Sequence, residues 1–122
     1  MTQVDLKSMS IGELVHRFVE IAIAQDWAIF EDENAKYRRL YRQMDEIDNE
    51  LKSRPGDQRR ALVQLYDHPN IQVRLKAALR SMELTPDAAR PVLEKIAKSG
   101  AYPQAADAGF ALDRLDGHPI VP

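Results

Sequence analysis

Apolar side chains recur at steps of three and four along most of the chain, the spacing that lines one face of a 3.6-residue helix. Ile11, Leu14, Val15, Phe18, Ile21 and Ala22 open the pattern. Just ahead of them, Ser10 and Glu13 have the spacing of a capping box, which predicts a first helix from there to about Phe30. A second stripe, Val19, Ile23, Trp27 and Phe30, makes this helix apolar on two faces, so both need cover. The run Glu31-Asp32-Glu33-Asn34 suits the positive end of a second helix, whose stripe is Tyr37, Leu40, Tyr41, Met44, Ile47 and Leu51. Pro55-Gly56-Asp57 ends that helix, and Asp57 is the expected N-cap of a short third one carrying Ala61, Leu62 and Leu65.

The punctuation then repeats. His68-Pro69-Asn70 breaks the chain and Asn70 caps a fourth helix, expected from about Ile71 to Met82. Thr85-Pro86 supplies an N-cap followed by proline at the first helical position, where no amide donor is missed. The fifth helix carries Ala89, Val92, Leu93, Ile96 and Ala97, with Pro91 near enough to its start to be tolerated. Ser99-Gly100 closes it, Tyr102-Pro103 introduces a sixth with Ala106, Phe110, Ala111, Leu112 and Leu115, and Gly117-His118-Pro119 stops the pattern. No stretch alternates with period two, so the expected class is all-α. The organisation expected is one domain without a linker: a flexible tail over 1–9, a long helix pair over 10–53 and two hairpins over 57–116.

Those hairpins are similar to each other at an offset of about thirty-three residues: Ala77, Ala78, Leu79 and Met82 align with Phe110, Ala111, Leu112 and Leu115. The string from Asp67 to Ala78, with Val73-Arg74 and Ala77-Ala78, resembles the turn and second helix of a HEAT-type repeat. That resemblance implies an α-α superhelix of six helices in three stacked antiparallel pairs, and an arginine ladder in which Arg74 meets Asp67 or Asp107. In the second repeat Asp107 stands where the arginine would, and Gly109-Phe110 breaks the alanine pair. The whole chain, most of all Ser53-Arg54-Pro55-Gly56-Asp57-Gln58-Arg59-Arg60-Ala61-Leu62, is also similar to a small bacterial family known only as a domain of unknown function. Its expected fold is the same superhelix, and it implies no activity.

Composition narrows the function classes. Of 122 residues 44% are apolar and 30% charged, and the longest apolar run, Ile21 to Ala24, is far too short to span a membrane. The absence of cysteine removes disulfides, thiolate metal sites and cysteine nucleophiles, and fits a cytoplasmic protein. A net charge of -2 disfavours nucleic acid, whose binders gain most non-specific affinity by neutralising phosphates. No cofactor is expected. Glu13-x-x-His16 has di-iron spacing, but His68 and His118 sit beside prolines in turns, so no metal is expected and Glu13 is read as a cap. None of the serines lies in a nucleophile elbow, and the five glycines build no phosphate loop.

A non-enzymatic protein-interaction module is therefore expected, with toxin neutralisation in the manner of an immunity protein as a specific form drawn by analogy. Its candidate partner-binding residues are Trp27 and Phe30 on the first helix, Arg38 and Arg42 on the second, and Lys76 and Arg80 on the fourth. Tyr37 and Tyr41 fall on the apolar stripe and are expected in the core, while Arg42 can reach Asp45 and Glu46 within a turn. The partner is an unidentified protein, or a second copy if Trp27 and Phe30 remain exposed. The alternative is a nucleic-acid-binding domain that gathers Arg38, Arg42, Arg74 and Arg80 into one groove.

Overall fold

The computed structural model describes residues 5–117, so the expected stop at His118-Pro119 lies outside the described residues. Among these every regular element is helical: α1 (Ile11–Phe30), α2 (Asn34–Ser53), α3 (Ile71–Ser81), α4 (Pro86–Ala97) and α5 (Gln104–Leu115), with 3₁₀ segments at Leu6–Ser8 and Gln58–Leu65. The class is all-α. The chain forms two compact units that divide between Ala61 and Leu62.

In the first unit α1 and α2 pack together as an antiparallel hairpin across the three-residue turn 31–33. The capping box at the head of α1 is complete: the Glu13 N–H donates to Ser10 Oγ at 3.1 Å, and the Ser10 N–H donates to Glu13 Oε1 at 2.9 Å. The first apolar stripe of α1 is buried through Leu14, Val15, Phe18, Ile21 and Ala22, continued by Gln25 and Ala28. Gln25 reaches Met44 Sδ at 4.0 Å, which ties the two helices. On α2 the buried positions are Met44, Ile47 and Leu51, all in its second half. Residues 5–9 are no loose tail, because the Arg54 Nη2 donates to the carbonyls of Leu6 at 3.1 Å and Met9 at 2.8 Å while its Nε holds Glu50 at 2.8 Å. A half-buried guanidinium with three oxygens around it fixes the segment from Leu6 to Met9 against the end of α2.

The expected third helix is a 3₁₀ helix of eight residues. Its buried positions, Arg59, Leu62 and Leu65, are three apart, which matches three residues per turn and not 3.6. Gly56 and Asp57 enter it through two successive positive φ angles, 80° and 53°. Asp57 then turns its carboxylate onto the Arg59 guanidinium, at 2.8 and 2.6 Å, as well as onto the Arg59 N–H. That hydrogen bonding holds the Asp57 carboxyl below the usual carboxylate range.

In the second unit α3, α4 and α5 share an apolar cluster of Leu75, Ala78, Ala89, Leu93, Ile96, Ala108 and Ala111. Alanine at four of these seven positions lets the helix backbones approach closely. Asn70 caps α3 as expected, accepting from the N–H groups of Gln72 at 2.8 Å and Val73 at 3.1 Å. Thr85 departs from expectation. Its hydroxyl makes no cap bond to α4 but donates to the Ser81 carbonyl at 3.1 Å and meets the Tyr66 hydroxyl at 3.0 Å, which also contacts Ser81 Oγ. With Pro86 at the first helical position one orphan donor is absent, which frees the threonine to fasten the α3–α4 turn. Across the unit, a buried amide pair joins α5 to α3, Gln104 Nε2 donating to Gln72 Oε1 at 3.0 Å. Arg90 on α4 pairs with Asp116 at 2.7 Å, just past the end of α5.

Arg74 corrects the ladder expectation. It meets neither Asp67 nor Asp107; its Nη1 donates to the carbonyls of His68 at 2.7 Å and Pro69 at 3.0 Å. The guanidinium folds back because the proline-bearing loop leaves two carbonyls pointing at the first turn of α3. The repeat is partial in the same way: Ala78 and Ala111 are both buried, but Phe110, aligned with the buried Ala77, is exposed.

Candidate functional site

Among the described residues, the large apolar side chains that the first unit leaves exposed, Trp27, Phe30 and Tyr41, lie toward the closed end of the α1–α2 hairpin. Here the second stripe of α1 runs out of cover: Val19 and Ile23 are half-buried, while Trp27 is 60% exposed and Phe30 81%. Internal burial of these two aromatics, one of the outcomes the double stripe allowed, does not occur. Three residues apart on α1, they stack edge to face with ring centroids 6.0 Å apart and planes at 87°, and with Asp26 they line a shallow hollow of about 260 Å³. Tyr41 on α2 is 43% exposed and lies against the half-buried Tyr37 at 6.4 Å between centroids. Tyr41 is therefore a surface residue and Tyr37 only half-buried, contrary to their expected place in the core. A sequence signal existed, since Lys36, Arg38, Arg39 and Arg42 are interleaved with them; in the structure no residue in the first ten of α2 is buried.

The charge at this end is balanced. Between Asp26 and Arg42 stand four acids, Asp26, Glu31, Asp32 and Glu33, and four bases, Lys36, Arg38, Arg39 and Arg42. Arg38 and Arg42 are exposed and one turn apart on α2, and Lys36 pairs with Glu33 at 3.6 Å. An aromatic pair ringed by charge of both signs has the make-up of a protein-binding surface, with an apolar anchor and a polar rim.

The candidates on α3 fare differently. Lys76 is only 5% exposed, because Gln72, Val73, Leu75, Lys76, Ala77 and Ala78 are buried together and α3 is covered on almost every side. It is thus no accessible contact residue, which corrects that expectation, and Arg80 is half-buried. Neither adds to an exposed basic face.

Among the described residues no group of three metal-ligating side chains comes together. Glu13 is committed to its cap, where the Ser10 N–H holds its carboxyl below the usual carboxylate range, and His16 lies exposed, 3.9 Å from Glu20. Among the same residues no helix is long and apolar enough to cross a membrane.

The chain matches the family described as Domain of unknown function (DUF2019) over residues 12–116, and it belongs to that family. It is also similar to a protein of known crystal structure, RPA1889 from Rhodopseudomonas palustris CGA009, with 42% identity and a TM-score of 0.90 over 98% of this chain and 99% of that one. No curated protein matches.

Proposed function

We propose that this DUF2019 chain is a non-enzymatic protein-interaction module that docks a partner protein on the closed end of its first helix hairpin. The observation that carries this reading is the exposed Trp27–Phe30 pair set among equal numbers of acids and bases. Soluble domains seldom leave such a pair in water without use, and aromatics with arginine are the residues that dominate protein interfaces. Balanced charge favours a protein over nucleic acid, because phosphate binding draws on a net positive field. Toxin neutralisation by direct binding is one form such a module takes. The HEAT-like reading of residues 57–116 and a cytoplasmic setting belong to the same proposal, supported by the alanine-rich contacts of α3, α4 and α5 and by the absence of cysteine.

The test is site-specific photo-crosslinking in the native cell. A photoreactive phenylalanine analogue is placed at position 30, and in a control at Glu94, exposed on α4 of the other unit. A discrete protein adduct is expected at position 30, absent at position 94, and lost when Trp27→Ser is added. Equal adducts at both positions would overturn the reading. So would sub-micromolar binding of single-stranded DNA at about 150 mM salt, where a charge-balanced surface should bind weakly.

A further inference from the structure

In the second unit the loop that precedes α3 runs past α4 and leaves a cleft of about 400 Å³, within the range of small-ligand sites. Tyr66, Pro91 and Val92 give it an apolar side, and Asp67, His68, Arg74 and Lys95 a polar one. The half-buried Arg74 is held in place: both Nη1 hydrogens are taken by the carbonyls of His68 and Pro69, at 2.7 and 3.0 Å. Among the described residues its Nε–H and Nη2 hydrogens find no acceptor, so the planar edge of the guanidinium that suits two oxygens stays open. Carbonyls orient the cation without neutralising it. His68 is oriented too, its Nδ1 accepting the Asn70 N–H at 3.0 Å, which puts the proton of the neutral ring on Nε2 as a donor. Lys95 is exposed at the cleft and makes no ion pair with a described residue.

We propose that this cleft binds a small monocarboxylate with an apolar body, the carboxylate across the open edge of Arg74 and near Lys95, the body against Tyr66, Pro91 and Val92. The fork of an arginine matches a planar carboxylate with two parallel hydrogen bonds. Arg74 and Lys95 against Asp67 give the cleft a single formal positive charge, which a monoanion neutralises and a phosphate dianion would reverse. This site stands apart from the aromatic pair of the first unit and does not depend on its use.

The probe is 3-phenylpropanoate, titrated into the full-length protein at neutral pH and followed by ¹⁵N–¹H correlation spectra that include the arginine Nε–H. Saturable shifts are expected at His68, Arg74 Nε–H, Val92 and Lys95, with the uncharged 3-phenylpropanamide about tenfold weaker or silent and inorganic phosphate failing to displace the acid. Lys95→Gln, at an exposed position, should weaken binding by roughly threefold to tenfold, the loss of a partly solvated charge contact. Arg74→Lys keeps the charge but loses the fork, and should weaken binding by about tenfold or more if its melting temperature shows a folded chain. If that variant unfolds, Lys95→Gln and the acid–amide comparison decide. Equal binding of acid and amide, displacement by phosphate, shifts that do not saturate, or no effect of Lys95→Gln would each overturn the proposal.

Discussion

Phe18 and Phe30 lie on one helix and differ in almost nothing but cover, so the same truncation at both measures what the exposed aromatic contributes to folding. Phe18 has no exposed surface, and Phe→Ala at such a site costs about 3–5 kcal/mol through lost transfer free energy and the cavity left behind. Phe30 keeps only about a fifth of its area covered, roughly 40 Å² of aromatic surface. At ~25 cal/mol per Å² that is about 1 kcal/mol, an upper value because an unfolded chain already covers part of it. Alanine recovers about 0.5 kcal/mol as the better helix former, so Phe30→Ala should be nearly silent. Urea unfolding followed by far-UV circular dichroism checks both, with equal slopes required for the comparison. A loss above about 2 kcal/mol at Phe30 would show that the aromatic serves the fold and would remove the reason for assigning it to a partner. Conversely, Trp27 and Phe30 together leave on the order of 300 Å² of aromatic surface in water, roughly 8 kcal/mol of gross driving force for whatever covers them. Association costs of about 4–15 kcal/mol consume much or all of that, so the pair is an anchor within a larger contact.

Three further outcomes follow from the bonds described. Gln104→Ala removes the donor to Gln72 inside the second unit and should cost about 1–3 kcal/mol by denaturant titration; no change would mean the pair is incidental. Tyr66→Phe deletes the hydroxyl shared with Ser81 and Thr85 and should cost about 1 kcal/mol, with a null result refuting its part in fastening the α3–α4 turn. Glu13, its carboxyl held low by the Ser10 N–H, stabilises the fold above the ordinary carboxylate pKa near ~4, and that contribution is lost as pH falls through the lower folded-state value. Glu13→Gln should therefore flatten the acid limb of melting temperature against pH, and identical limbs in both proteins would refute it.

Two caps and the breaks were the most legible part of the chain, because each of these caps joins a side chain to one or two nearby amides, Ser10 with Glu13 and Asn70 with Gln72 and Val73, whereas the expected Thr85 cap gave way to bonds with Ser81 and Tyr66. The type of the third helix was written in Arg59, Leu62 and Leu65, yet two steps of three are also the start of an α pattern, and the entry through the positive φ angles of Gly56 and Asp57 is what distinguishes this segment. Partners across the chain were not legible. Arg74 had two acids to choose from by sequence and took two carbonyls of the preceding loop, a choice fixed by where Pro69 points the backbone. Burial failed in both directions at the candidate site. Lys76 looked like a free cation because its charge hides that Gln72, Val73, Leu75, Ala77 and Ala78 around it on α3 are buried, and Tyr37 and Tyr41 looked like core because helical spacing cannot say where cover stops.

The one-sided burial of α2 divides the helix into two regimes of constraint. Met44, Ile47 and Leu51 fasten its second half, whereas the ten residues from Asn34 to Gln43 contribute none of the buried positions. Amides of that first half should open at low free energy and exchange hydrogen quickly, while those from Met44 to Leu51 exchange near the limit set by unfolding of the unit. A surface built on the weakly held half can drift in sequence, change its charges or remodel its backbone against a new partner, and the cost to the remainder of the fold stays small. Specificity can then evolve at one end of the hairpin while the residues that define the fold stay as they are.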